Sequence, residues 1–158
     1  MTSPHDELSP YAQRLLTTVV AAVPAWVDAV VRKYVRRTFG VVSEDIAASI
    51  VLAQKEAQEY VSVHVSQLMN TDVDEQQTNP LQILRDASQF PTRVLQEAGV
   101  PAPSRDHFDE QINPHDVYGL GPYTWRDLGE DVHDAGIEWG AWKAATVLAR
   151  RREEGKIT

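Results

Sequence analysis

The sequence of 158 residues contains no cysteine, and this absence excludes several kinds of site. Without cysteine the chain has no disulfide, no thiolate metal ligand and no cysteine nucleophile. Nothing in the sequence marks an oxidising compartment, and a reducing cytosol is the default for such a chain. We therefore predict a cytoplasmic protein.

The motifs that bind phosphates or position a serine nucleophile are also missing. There is no GxxxxGK[ST], no GxGxxG and no GxSxG in the sequence. The stretch GLGP at 119–122 has the residues of a turn but not the neighbours of a phosphate-binding loop. No Ser/His/Asp triad is indicated, although such residues need to meet only in space. These absences favour a protein without intrinsic catalysis.

Positive charge is scarce, with 15 Lys and Arg against 23 Asp and Glu and a net charge of −8. Such a chain repels phosphate unless its basic residues cluster. They cluster once, at Arg32, Lys33, Arg36 and Arg37. The simplest interpretation is a solvated helix end. The functional alternative is a surface for an anionic partner, which is an acidic protein, lipid headgroups or RNA. Of these three we expect a protein, and neither nucleic acid nor a membrane.

The spacing of apolar residues predicts an all-α, four-helix bundle-like single domain. Apolar side chains recur every three or four residues in four segments, which is the period of a helix. We predict a flexible tail at 1–8 and a helical domain at 9–154, with helices at about 10–39, 44–70, 80–98 and 125–153. Pro24 and Pro91 are expected to kink or break the first and third helices. Residues 100–123 are predicted to form an ordered, proline-containing loop before the last helix.

The first helix is apolar enough to raise the question of a membrane. Leu15 to Val31 is about as long as the shortest spanning helices and precedes the basic cluster. Pro24 and Asp28 interrupt this stretch, however, and the N-terminal residues before it are acidic. We predict a central core helix. A spanning helix and a helix bound at a membrane surface are the alternatives.

The stretch EDVHDAGIEWGAW in the last helix carries a ridge of small residues at four-residue steps, formed by Gly136, Gly140 and Ala144. Trp139 and Trp142 flank the ridge with bulk. A glycine inside a helix is unfavourable by about 1 kcal/mol relative to alanine, so repeated glycines suggest that another backbone comes close. We predict a helix-crossing surface within the chain, with a homodimer contact as the alternative.

Glu130 and His133 in the same stretch have the E-x-x-H spacing of a metal site. Residues three apart share one face of a helix, so a carboxylate and an imidazole could bind one ion. A di-iron site of the ferritin-like kind needs a second E-x-x-H, and this sequence has none. A mononuclear zinc or iron site could instead combine Glu130 and His133 with Asp134 and His64, or with a loop histidine, His107 or His115.

Two functional hypotheses follow from these patterns. The first is a protein-interaction or regulatory module with no catalysis of its own, which the missing catalytic motifs favour. The second is a metal-dependent enzyme or metal sensor that uses Glu130 and His133. Peripheral membrane association through the first helix is a third, weaker hypothesis. The sequence contains nothing that identifies a substrate or a biological process.

Overall fold

The computed structural model describes residues 9–104 and 114–155, and within these ranges the protein is all-α, as predicted. The five α-helices are α1 (Pro10–Phe39), α2 (Glu44–Met69), α3 (Pro80–Asp86), α4 (Gln89–Ala98) and α5 (Glu130–Glu153). Short 3₁₀ segments occur at Val73–Glu75 and Trp125–Leu128. The three long helices and the α3–α4 pair form a bundle-like arrangement, so the predicted fold class is confirmed.

The helices begin where side chains can cap them. Ser9 Oγ accepts the N–H of Ala12 at 3.1 Å, and Asn79 Oδ1 accepts the N–H of Leu81 at 2.8 Å. Each cap is followed by a proline, whose missing N–H would have no partner in the first turn of a helix. Ser43 caps α2 in the same way, through the N–H of Ile46 at 3.2 Å. Cap and proline together explain why these boundaries could be predicted.

Helix α1 lies at the centre of the bundle and packs against α2, α4 and α5. Its buried stripe repeats at helical spacing and consists of Ala12, Leu15, Val19, Val23, Trp26, Val27, Val31 and Val35. Helices α2 and α5 contact each other little, because each packs on α1 instead. Among the described residues, α1 is the one helix long and apolar enough to cross a membrane. The core helix of a soluble protein passes the same test, so membrane association stays a prediction.

Pro24 lies inside α1 without ending it. Because proline has no N–H, the carbonyl of Val20, one turn earlier, loses its helical partner. Gln58 Nε2 of α2 donates to that carbonyl at 3.1 Å, and Gln54 Nε2 donates to the carbonyl of Pro24 at 2.8 Å. The two glutamines are one turn apart on α2, so a single helix face binds the backbone of α1 around the proline.

The third predicted helix consists of two helices that are separated at Ala87 and Ser88. Pro91 lies in the first turn of α4, where an N–H has no helical acceptor. One predicted helix start needs correction. The last α-helix begins at Glu130 and not at Trp125, because Gly129 adopts φ +124°, which a helix does not allow. Gly129 is therefore a helix boundary. The predicted tail at 1–8 and loop residues 105–113, His107 included, lie outside the described residues.

Candidate functional site

The predicted metal ligands Glu130 and His133 lie next to Arg126, which belongs to the 3₁₀ segment before α5. Arg126 Nε is 3.2 Å from Glu130 Oε1, and Arg126 NH2 is 3.2 Å from His133 Nε2. A guanidinium cation thus contacts both groups that the metal hypothesis assigns to one ion. The local geometry is that of an exposed ion pair at a helix start, which contributes little to stability.

The other proposed ligands lie elsewhere. His64 is on α2, where its Nδ1 is 2.8 Å from the carbonyl oxygen of Tyr60 and its ring stacks on the Tyr60 ring at 4.0 Å. Asp134 and His115 are exposed. Across 9–104 and 114–155, no three His, Asp or Glu side chains come together in a way that could hold a metal ion. The structure does not unite the predicted ligands, and zinc or iron binding stays a prediction.

The two ends of the small-residue ridge of α5 have different surroundings. Gly136 is buried, and a Cβ added there would lie 2.5 Å from Trp125 Cγ, so the indole of the 3₁₀ segment occupies the space of the missing side chain. Gly140 and Ala144 are exposed, and a Cβ added at Gly140 would meet nothing within 4 Å. A close contact within the chain thus occurs at Gly136, but with an indole and not with a second helix. It does not extend to Gly140 and Ala144.

The two tryptophans of α5 face the protein interior. Trp139 is buried, and the ammonium of Lys143 lies over its ring at 5.1 Å from the centroid. Burial lowers the pKa of Lys143 below its ordinary value. Trp142 is half-buried and stacks on Tyr11 of α1, with ring centroids 6.4 Å apart. Both indoles thus anchor α5 on α1 and leave the opposite side of the helix to solvent.

The described part of the loop before α5 is held by a buried carboxylate. Asp116 is 4% exposed and accepts the backbone N–H groups of Leu120 at 2.6 Å and Gly121 at 2.7 Å. Gly121 also packs so closely that an added Cβ would be 3.0 Å from the Cα of Arg85. The side chain of Arg85 donates to the carbonyls of Pro122 and Tyr123, at 2.8 and 3.0 Å. Residues 116–123 are therefore packed against the helices, and residues 105–113 of the predicted ordered loop lie outside the described residues.

Tyr118 joins the loop to two helices. Its hydroxyl donates to the carbonyl of Val100 at 2.6 Å, just after α4, and its own carbonyl accepts from Tyr34 Oη of α1 at 3.2 Å. The rings of Tyr34 and Tyr118 meet edge to face at 5.9 Å. Burial raises the pKa of the Tyr118 phenol above its ordinary value of 10.0.

The raised pKa of Tyr118 predicts a loss of stability at alkaline pH. The folded state keeps the phenolic proton to higher pH than the unfolded chain does. This contribution is therefore complete below about pH 10 and is lost as pH rises through the folded pKa. Tyr118→Phe should flatten this alkaline decline, measured by urea unfolding between neutral pH and about pH 11. At neutral pH it should lower the free energy of unfolding by about 1–2 kcal/mol, because the Val100 carbonyl loses its donor. An alkaline decline identical to the wild type would contradict the assignment.

A cleft of about 510 Å³ opens between the N-terminal half of α1 and the start of α5. Arg14, Thr17, Glu130 and Asp131 contribute its polar lining. The Arg14 guanidinium is bound by the carboxylate of Glu138, and this hydrogen bond is the main cause of the raised Arg14 pKa. Glu138 neutralises the Arg14 cation of this cleft, and the carboxylates of Glu130 and Asp131 lie at its rim. The cleft therefore does not attract an anion.

The basic cluster lies at the exposed end of α1. Arg32 pairs with Asp28 at 2.7 Å, and Arg37 lies over the Tyr34 ring at 5.6 Å. Lys33 and Arg36 are exposed and form no ion pair within the described residues. Phe39 and Val41, 49% and 71% exposed, follow directly. We call the surface formed by Lys33, Arg36, Arg37, Phe39 and Val41 the basic corner.

Three residues that determine this architecture were missed at the sequence level: Trp125, Asp116 and Gln58. Asp116 had a usable signal, because an aspartate shortly before the two glycines of GLGP is a common source of side-chain bonds to turn N–H groups. Trp125 and Gln58 had none, since their partners Gly136 and Val20 are fixed only by the packing of elements distant in sequence.

Comparison of the chain with protein-family models, with curated proteins and with solved structures finds no match in any of the three. No function can therefore be transferred from a relative.

Proposed function

We propose that this protein is a protein-interaction module that engages an acidic partner protein through the basic corner. The observation that carries the proposal is the concentration of unpaired cations beside exposed apolar side chains in a chain of net charge −8. The chain has acidic residues in excess, yet they leave Lys33 and Arg36 without an ion pair in the described structure. Such a surface attracts a partner of opposite charge.

The apolar part of the corner favours a protein as the partner. Phe39 and Val41 flank Gly40, which ends α1 with φ +81° and fixes the turn toward α2. They therefore lie on the turn that follows the arginines. Aromatic and arginine side chains are the types enriched where proteins bind each other. An acidic segment with one or two apolar residues would pair its carboxylates with Arg36 and Lys33 and cover Phe39.

The rest of the molecule has the properties of a scaffold for this corner. Tyr34, directly beneath Arg37, is tied to the loop through Tyr118, so the loop supports the end of α1. Rigid support reduces the entropy that binding would otherwise lose. A catalytic role would need a cluster of reactive groups in a cavity, and the cleft beside Arg14 offers only a partly neutralised rim.

The test is site-specific photo-crosslinking from position 41 in the cytoplasm of the source cell. The crosslinked protein should be acidic and should be lost when Lys33, Arg36 and Arg37 are changed to Glu together. With the purified partner, we expect roughly a tenfold or larger increase in Kd for this triple variant, and binding that weakens with salt. Lys55→Glu on α2 is a matched control, because it changes an exposed lysine far along the chain from the corner.

Three outcomes would contradict the proposal. The first is a crosslink at position 41 that persists in the triple variant. The second is binding of the purified protein to anionic vesicles at low salt, which would make the corner a lipid surface. The third is binding to RNA with a steep salt dependence. Circular dichroism of each variant would establish that the fold is retained.

A further inference from the structure

The outer face of α5 packs against no other element in the described part of the chain, although its side chains form an ordered pattern. The inner face buries Val132, Ala135 and Trp139 against α1, so the opposite face points to solvent. That face carries Ile137 and Leu148, which are 57% and 41% exposed, with only alanines between them. A shallow groove of about 420 Å³ lies along one edge of this face and is lined by Gly140, Lys143, Ala144, Val147, Leu148 and Arg151. Because an α-helix turns by about 100° per residue, the outward-facing residues between Asp134 and Arg151 lie within an arc of about 100° around the helix axis.

The charge on this face changes sign along the helix. Asp134 lies at its N-terminal end and Arg151 at its C-terminal end, both exposed. Neither forms an ion pair within 4 Å in the described structure. The apolar residues lie between the two charges. The surface is thus an acidic end, an apolar centre and a basic end, about 26 Å long at the rise of an α-helix.

This pattern is complementary to itself when one copy is turned end to end. The midpoint between Ala141 and Ala144 is also the midpoint between Ile137 and Leu148, and between Asp134 and Arg151. A two-fold axis through that point, perpendicular to the helix, places Asp134 opposite Arg151 of a second copy, twice. The same operation places Ile137 opposite Leu148 and sets alanine against alanine at the centre. We propose that α5 pairs with α5 of a second copy of this chain, antiparallel, across this face.

Gly140 is compatible with this arrangement. A side chain at 140 would meet nothing within 4 Å, so no contact with the described residues requires the glycine. At 100° per residue, Gly140 and Ala145 lie at opposite edges of the paired face, where small residues let two helices approach closely. This interface is separate from the basic corner on α1, so it extends the proposed function without depending on it.

One helix against one helix buries less than the standard protein interface, so a dimer with a Kd of about micromolar order is expected. The mass of the purified protein should rise toward the dimer value between about 1 and about 200 µM in analytical ultracentrifugation. Asp134→Arg and Arg151→Asp should each weaken the dimer roughly tenfold or more, because each change turns two attractive contacts into two repulsive ones.

Restoring the charge pairs should restore the dimer. The double variant Asp134→Arg with Arg151→Asp re-forms both pairs with reversed polarity. An equal mixture of the two single variants should form a heterodimer of near wild-type affinity. Lys55→Asp and Glu59→Arg on α2 are matched controls, because they reverse exposed charges away from α5 and should leave the Kd unchanged.

Three results would overturn the proposal. One is a monomer mass throughout the concentration range. A second is a dimer whose Kd is the same in both single variants, which would place the contact elsewhere. The third is a dimer that the mixture strengthens but the double variant does not, which is the result expected for parallel helices. Ile137→Glu provides an independent check, because its exposed position tolerates charge in the monomer while the dimer should be lost.

Discussion

Replacing Asp116 by alanine should lower the free energy of unfolding by about 2–4 kcal/mol. The buried carboxylate accepts two backbone N–H groups, from Leu120 and Gly121, and alanine would leave both without an acceptor. Each buried, unsatisfied donor is unfavourable by about 1–3 kcal/mol. The loop also presents Tyr118 to α1, so its loosening should propagate to the Tyr34 contact. Urea unfolding monitored by tryptophan fluorescence measures the change.

Asp127 provides the matched control for Asp116. Its carboxylate also accepts two backbone N–H groups, from Tyr123 and Thr124, each at 2.9 Å, but at an exposed position. Water can replace the lost acceptor there, so Asp127→Ala should be unfavourable by only about 0.5–1 kcal/mol. Equal losses for the two variants would mean that burial does not decide the effect, and the interpretation of Asp116 would fail.

The contrast between these two aspartates also shows which part of the structure can be predicted from the sequence. Asp127 belongs to a local pattern, the capping box with Thr124, whose two residues are only three positions apart and which begins a 3₁₀ segment. The starts of α1, α2 and α3 were predictable for the same reason, since a cap and its N–H lie two or three residues apart. Patterns of this range require no knowledge of tertiary contacts.

What could not be predicted depends on contacts between distant elements. The E-x-x-H spacing of Glu130 and His133 is local, but whether a metal or Arg126 occupies the space between them is decided by the chain path before α5. The distance between His64 on α2 and the Glu130–His133 pair on α5 depends in turn on α1, which lies between α2 and α5. Similarly, the small-residue ridge was visible in the sequence, whereas its division into a covered and an open part depends on the position of Trp125.

The two glycines of that ridge should respond in opposite ways to the same substitution. Gly140→Ala should raise the free energy of unfolding of the monomer by about 0.5–1 kcal/mol, because alanine is the better helix former and its methyl meets nothing. Gly136→Ala gains the same propensity but places a methyl 2.5–2.6 Å from three ring atoms of Trp125. Overpacking of this kind is unfavourable by about 1–3 kcal/mol, so a net loss is expected.

The experiment compares both variants by urea unfolding at a protein concentration well below the dimer Kd, so that only the monomer contributes. Trp125→Ala in the background of Gly136→Ala should recover part of the loss, since the ring atoms that obstruct the methyl are removed. A double-mutant cycle then isolates the steric contact from the packing that Trp125 provides by itself. If Gly136→Ala stabilised the protein as much as Gly140→Ala does, Trp125 would not be packed against this position. If Gly140→Ala instead weakened self-association while stabilising the monomer, the glycine would be explained by the second copy, because none of the described residues requires it.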